Sequence, residues 1–166
     1  MAIRAAVLTV SDGVAHGARV DTAGPAVAAL LTSIGADVVE AQAVADERDE
    51  IAAVLRHWAQ SGIDLVLTAG GTGLSSRDVT PEATLDVAER QVPGLPEVMR
   101  EEGRKSTHLA ALSRAYAVVR GRTLIVNLPG SEKGATESLQ AILELLPHAV
   151  QLLRGRDTNQ HPVDKV

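Results

Sequence analysis

The chain has 166 residues, a formal net charge of −5, 45% hydrophobic residues and no cysteine. Disulfides, thiolate nucleophiles and cysteine-ligated metal centres are therefore excluded. Sixteen Lys and Arg against 21 Asp and Glu, with no basic run, leave no electrostatic footprint for nucleic acid.

The length fits a single domain, expected over residues 1–155, with the polar stretch 156–166 as a flexible C-terminal tail. Phe is absent and the aromatics are Trp58 and Tyr116, so aliphatic residues must fill the core. The opening MAIRAAVLTV enters a strand-like run without a basic leader, cleavage site or membrane-length stretch. The expectation is a cytoplasmic protein with no membrane and no nucleic-acid partner.

In chain order, apolar, β-branched runs at Ile3–Val10, Val38–Val44, Ile63–Thr68, Ala115–Val119 and Thr123–Asn127 read as buried strands. Between the first three, Val27, Leu30, Leu31 and Ile34 share one helical face, and Ile51, Val54, Leu55 and Trp58 share another. Gly35 and Gly62 stand where these helices end. A third helix is expected to start with Thr80 as N-cap and Pro81 in the first turn. Ser131 is the expected N-cap of a last helix carrying Leu139, Ile142, Leu143 and Leu146, which Pro147 kinks or restarts. Strand–helix alternation predicts an α/β fold of three layers, a mainly parallel sheet with helices on both faces. The tight turn Val119–Thr123 admits an antiparallel edge strand.

Ligands of such sheets bind beyond the carboxyl ends of the strands. Strand one runs into Ser11-Asp12-Gly13, strand two into Asp46-Glu47, strand three into Gly70-Gly71-Thr72-Gly73, and the late strand into Pro129-Gly130-Ser131. A glycine-rich turn lets backbone N–H groups approach a phosphate, although taken alone it is equally a strand-to-helix turn. It matches neither a Gly-Lys-Ser/Thr phosphate loop nor a GxGxxG fingerprint. Asp46 alone reads as a helix cap and Asp78 alone as a turn residue. Converging on the glycine turn, the two carboxylates can hold Mg²⁺ together with phosphate oxygens. The five histidines show no metal-ligand spacing, and Ser11 and Ser131 have no adjacent base, so capping is their simplest role.

With these residues in view, the chain resembles the MoaB/Mog family of molybdopterin adenylyltransferases and the related domain of gephyrin and plant molybdenum-cofactor proteins. The matching segments are LTVSDG (8–13), DTAGP (21–25), VADE (44–47), TAGGTGLSSRDVTPEAT (68–84), PGLPEVMR (93–100), LSRAYAVVRG (112–121) and NLPGSEKG (127–134). The long glycine-to-RDVTPEAT block is the specific one. The resemblance implies transfer of AMP from MgATP to molybdopterin, with release of pyrophosphate. It implies catalytic and magnesium-binding roles for Asp46 and Asp78, and phosphate cradling by Gly70, Gly71, Thr72 and Gly73. Ser11, Asp12, Glu82, Pro129, Gly130 and Ser131 would line the pocket, with Arg77 and Arg114 as anion partners. A homotrimer, and handover of product to a molybdate-insertion protein, follow from the same likeness. The rivals are a noncatalytic molybdopterin-binding scaffold, a molybdate-insertion domain and a generic nucleotide-binding module.

Overall fold

The computed structural model describes residues 2–155; the expected tail, 156–166, lies outside the described residues. Six strands form one sheet: β1 (Ile3–Val10), β2 (Ala36–Val44), β3 (Leu65–Ala69), β4 (Arg90–Gln91), β5 (Ala117–Arg120) and β6 (Thr123–Leu128), in the order β2-β1-β3-β6-β5-β4. The first four positions pair in parallel, while β5 is antiparallel to β6 and to β4. The antiparallel edge follows from the short turn at Gly121, because a parallel return needs a crossover of a dozen or more residues.

Alternation along the strands separates two cores. After β1 comes the one-turn helix α1 (Asp12–Ala15); Val7, Leu65, Leu67, Leu124 and Val126 face helices α2 (Ala23–Ser33), α5 (Gly94–Ser106), α6 (Glu132–Ile142) and α7 (Leu146–Leu153). Leu8, Val66, Val118 and Ile125 face α3 (Arg48–Gln60) and α4 (Thr80–Val87), with Trp58 packed there at 3% exposure. Both faces are covered, as the near-continuous apolar strands require.

Several boundaries differ from expectation. β2 starts at Ala36, two residues early, because Ile3 and Arg4 at the start of β1 offer pairing partners to Ala36 and Asp37. β3 occupies Leu65–Ala69 because Ile63 is still bonded back to Trp58 at the end of α3. Gly35 and Gly62 follow α2 and α3 with φ of 77° and 75°, as helix-ending glycines do. Ser131 does cap α6, accepting from Gly134 N at 3.0 Å. Thr80 is not a cap: Val79 holds that position, and the Thr80 hydroxyl is turned inward, fully buried. Pro147 restarts the chain as α7 after a 3-10 turn at Leu143–Leu145. Helix α5 and the two-residue β4 have no counterpart among the expected elements.

Candidate functional site

The carboxyl ends of β1, β2, β3 and β6 meet in one place, and the interlock is made largely by backbone groups. Asp12 N donates to Asp46 Oδ2 at 2.8 Å, and Asp46 N returns a bond to Asp12 Oδ1 at 3.0 Å. This reciprocal pair joins the ends of two parallel strands across 34 residues. Ser11 turns the chain after β1, accepting from Val14 N at 3.3 Å. From β3 the chain enters Gly70 with φ 115° and Gly71 with φ 66°, both in the region that favours glycine. A Cβ on Gly70 would stand 2.1 Å from the Val10 carbonyl oxygen, so the backbone of β1 occupies the space of a side chain. The β6 loop is equally close: Gly130 packs on the Gly70 Cα.

Two pockets flank this ridge. One, of about 510 Å³, is lined by Asp21, Asp46, Gly70, Gly71, Asp78 and Gly130, among others. The second, of about 270 Å³, lies towards α5 and is bounded by Thr72, Gly73, Met99, Leu109, Leu112 and Pro129. Ser131 borders both. One pocket is rich in carboxylates and the other has mainly apolar walls, so the two sides of the ridge offer different surroundings to a ligand.

Asp46 and Asp78 both reach the first pocket with carboxylate oxygen to spare. Asp46 Oδ1 lies 3.2 Å from where a Gly71 Cβ would be, and Asp78 Oδ2 lies 2.9 Å from the corresponding point on Gly73. The missing side chains leave both carboxylates uncovered. Among the described residues, neither Oδ1 accepts a hydrogen bond; Asp78 Oδ2 accepts from Ser75 N at 2.9 Å. Burial pushes the Asp46 carboxyl above its ordinary value, and the neighbouring charges of Asp12 and Asp78 add to that against the Asp12 N–H bond. A half-buried carboxylate held near two others is poised to welcome a cation. Among the described residues no group of three or more His, Asp or Glu forms a metal cage. A two-carboxylate seat still fits Mg²⁺, which takes its remaining ligands from water and phosphate oxygens.

The arginines expected to meet anions are engaged inside the protein. Arg77 spans Asp12, at 2.9 and 3.1 Å, and Glu47, at 2.9 Å. The Arg77 hydrogen bond holds the Asp12 carboxyl below its ordinary range. Arg114 donates to the carbonyl oxygens of Gly73 and Asp78, each at 2.7 Å, and to Glu82 Oε1. It staples the 70–79 loop to α4, so its charge shapes the site from behind. Burial raises the Glu82 carboxyl, but the Arg114 hydrogen bond and charge outweigh it and hold the group low. Two polar atoms here are buried without a partner among the described residues: Thr80 Oγ1 and Glu82 Oε2. Thr80 Oγ1 lies 2.3 Å from the Gly71 Cβ position, directly behind the glycine turn.

The structure brings Ser11, Asp12, Asp46, Gly70, Gly71, Asp78, Gly130 and Ser131 around one ridge, with Thr72, Gly73 and Pro129 on its far side and Glu82 beneath Arg114. Sequence reasoning missed Asp21, Arg19 and the α5 wall around Met99. The DTAGP segment signalled Asp21, whose carboxylate ties Thr9 Oγ1 at 2.6 Å to Gly24 N at 2.9 Å.

Residues 6–148 match the family model described as "Probable molybdopterin binding domain". The chain belongs to this molybdopterin-binding family. It is 44% identical over 149 residues to the molybdenum cofactor synthesis protein cinnamon of Drosophila melanogaster, covering 89% of this chain and 25% of that protein. The molybdopterin adenylyltransferase of Helicobacter pylori is 38% identical over 156 residues, which cover 92% of this chain and 89% of the relative. Among solved structures, the molybdopterin biosynthesis enzyme MoaB of Thermus thermophilus superposes with a TM-score of 0.88 at 52% identity, covering 93% and 98% of the two chains. The chain thus spans a quarter of the Drosophila member and nearly all of the two shorter ones.

Proposed function

We propose that the chain is a molybdopterin adenylyltransferase acting in molybdenum cofactor biosynthesis, with ATP and molybdopterin as substrates and Mg²⁺ as the required cation. The observation that carries the reading is the pair Asp46 and Asp78, both open towards the glycine turn in one pocket. Membership of the molybdopterin-binding family and the 38% identical adenylyltransferase support it.

In this reaction an oxygen of the terminal phosphate of molybdopterin attacks the α-phosphorus of ATP. A new P–O–P link forms, the bond from the α-phosphorus to the bridging oxygen breaks, and its electron pair leaves with pyrophosphate. No side chain needs to become covalently bound, which agrees with a site lacking a nucleophile–base pair. Asp46 and Asp78 would hold magnesium, whose charge offsets that building up on the phosphate oxygens. The residues of the chain do the positioning. The turn Gly70–Gly73 borders the approach, with the Gly70 N–H spent on the Leu128 carbonyl at 3.1 Å, Ser131 stands between the pockets, and Arg77 and Arg114 fix the carboxylate-bearing loops. Alignment of two bound reactants is itself a large part of such an acceleration.

Residues 1–155 act as one molybdopterin-binding unit in this reading. By likeness to MoaB and Mog proteins, it works as a cytoplasmic homotrimer and passes adenylyl-molybdopterin to a molybdate-insertion protein. Among the described residues no helix is long and apolar enough to cross a membrane. The deciding experiment mixes the protein with MgATP and molybdopterin and follows adenylyl-molybdopterin and pyrophosphate. Product formation is expected. Binding of both compounds without product indicates a scaffold and overturns the enzymatic reading.

A further inference from the structure

Four carboxylates line the larger pocket, Asp21, Asp46, Asp78 and Glu132, and its lining contains one cationic side chain, Arg19. That imbalance is notable in a pocket read as a phosphate site, because the nearby Arg77 and Arg114 are already spent on carboxylates and carbonyls. Arg19 differs from both. Its guanidinium makes no hydrogen bond or ion pair with any described residue, although it borders the pocket.

Its backbone, by contrast, is pinned. The Gly13 carbonyl accepts from both Ala18 N, at 2.8 Å, and Arg19 N, at 2.9 Å, closing the turn that follows β1. The side chain then lies across Gly13: a Cβ there would meet Arg19 Cβ at 3.4 Å, Arg19 Nε at 3.8 Å and Ser11 Oγ at 3.8 Å. Absence of a side chain at position 13 leaves the arm a path over Ser11 towards the ridge. A fixed root and an unpaired planar fork are what bidentate capture of phosphate oxygens uses.

We propose that Arg19 is a phosphate-recognising side chain of this pocket, taking the oxygens of a substrate phosphate opposite the two open carboxylates. The inference rests on the adenylyltransferase reading and adds to it a binding residue. Two phosphates could be its ligand, the β,γ end of the nucleotide or the terminal phosphate of molybdopterin. The chemistry is the same, and binding measurements separate them.

The test is calorimetry on wild type, Arg19→Ala and Arg19→Lys with magnesium pyrophosphate and, separately, with molybdopterin. The exposed, unpartnered side chain makes a loss of fold unexpected, and matching thermal unfolding of the three proteins checks this. Arg19→Ala is expected to bind one of the two ligands about tenfold more weakly, with flatter salt dependence, because a charge-assisted contact is lost. Arg19→Lys should recover only part, since it keeps the charge without the fork. A loss confined to pyrophosphate assigns the arm to the nucleotide, and a loss confined to molybdopterin assigns it to the pterin phosphate. Unchanged affinity for both overturns the proposal while leaving the enzyme reading intact. Wild type that binds neither ligand and forms no adenylyl-molybdopterin overturns both.

Discussion

The two ends of the sheet are built on the same ingredients, carboxylates, arginines and backbone N–H groups, and finished in opposite ways. At the amino end, Asp64 accepts from Arg154 at 2.6 and 2.9 Å and from Arg4 N at 2.8 Å, while Arg154 also donates to the Ala2 carbonyl at 2.8 Å. This knot joins β1, the start of β3 and the end of α7, and it is closed, with 17% and 13% of its two side chains exposed. At the carboxyl end, Asp46 sits above its ordinary pKa, two carboxylate oxygens face open space, and Thr80 Oγ1 and Glu82 Oε2 are buried without partners. Satisfied polar groups mark the end that holds the fold, and unsatisfied ones the end proposed above to take the ligand. Substitutions at the two ends should therefore separate stability from activity.

The largest expected effect is at the glycine turn, where the two properties collide. Gly71→Val places a β-branched residue at φ 66° and drives its Cβ to within 2.3 Å of Thr80 Oγ1. Left-handed strain and overpacking together should cost about 3 kcal/mol, seen as a lower denaturation midpoint. Any change in ATP affinity must then be read on the folded fraction. If the variant is as stable as wild type, the turn is free to move and the packing behind it is not what holds it.

Next comes the closed end. Asp64→Asn removes a charge from a mostly buried pair and should cost about 2 kcal/mol, less than for a fully buried pair, with adenylyl transfer per folded molecule unchanged. Burial raises the Asp64 carboxyl, but the Arg154 and Arg4 hydrogen bonds overcome it, so its folded value lies below the ordinary 3.8. A lowered carboxylate stabilises above its unfolded value, and that contribution is lost as pH falls through the folded one. Wild type should thus lose stability below about pH 4 more steeply than Asp64→Asn. Parallel acid denaturation curves would show that the knot adds nothing through charge.

Asp78→Asn tests the open end. Its proposed role predicts at least a tenfold fall in adenylyl transfer, about 1.4 kcal/mol of barrier, with a small change in unfolding temperature because Asn can still accept from Ser75 N. Full turnover in the variant would remove Asp78 from the magnesium seat.

The same contrast explains what the sequence could disclose. The parallel core was legible because β1, β3 and β6 are short, β-branched and buried on both faces. Helix α5 was not: Gly94, Pro96 and Gly103 break its pattern, its first turn follows Pro93, and its buried stripe is little more than Leu95 and Met99. Strand β4 is two exposed residues that exist only through pairing with β5. In the site, the glycine turn and its carboxylates stood out as types, whereas their relations did not. The Asp12–Asp46 interlock joins residues 34 apart, and nothing local says that Arg77 and Arg114 would be consumed internally while the Arg19 side chain bonds to none of the described residues.

The smallest effect is the most discriminating, because its sign opposes that at Asp64. Asp46→Asn removes a half-buried charge that Asp12 and Asp78 repel, while an amide oxygen can go on accepting from Asp12 N. At neutral pH the variant without ligand should gain a few tenths of a kcal/mol, small because solvent screens a half-exposed group. The raised folded value sets the pH course. Relative to a carboxyl of unshifted pKa, wild type is favoured below about 3.8 and loses that advantage as pH rises through the higher folded value. The gap between the two proteins should therefore open between mildly acid and neutral pH and close in acid. MgATP should then reverse the order, stabilising wild type by mass action and the variant far less, with transfer reduced at least tenfold. Thermal unfolding with and without MgATP across that pH range measures all of this. A variant that is less stable at neutral pH without ligand would make Asp46 a structural tie, and the open end of the sheet would be closed after all.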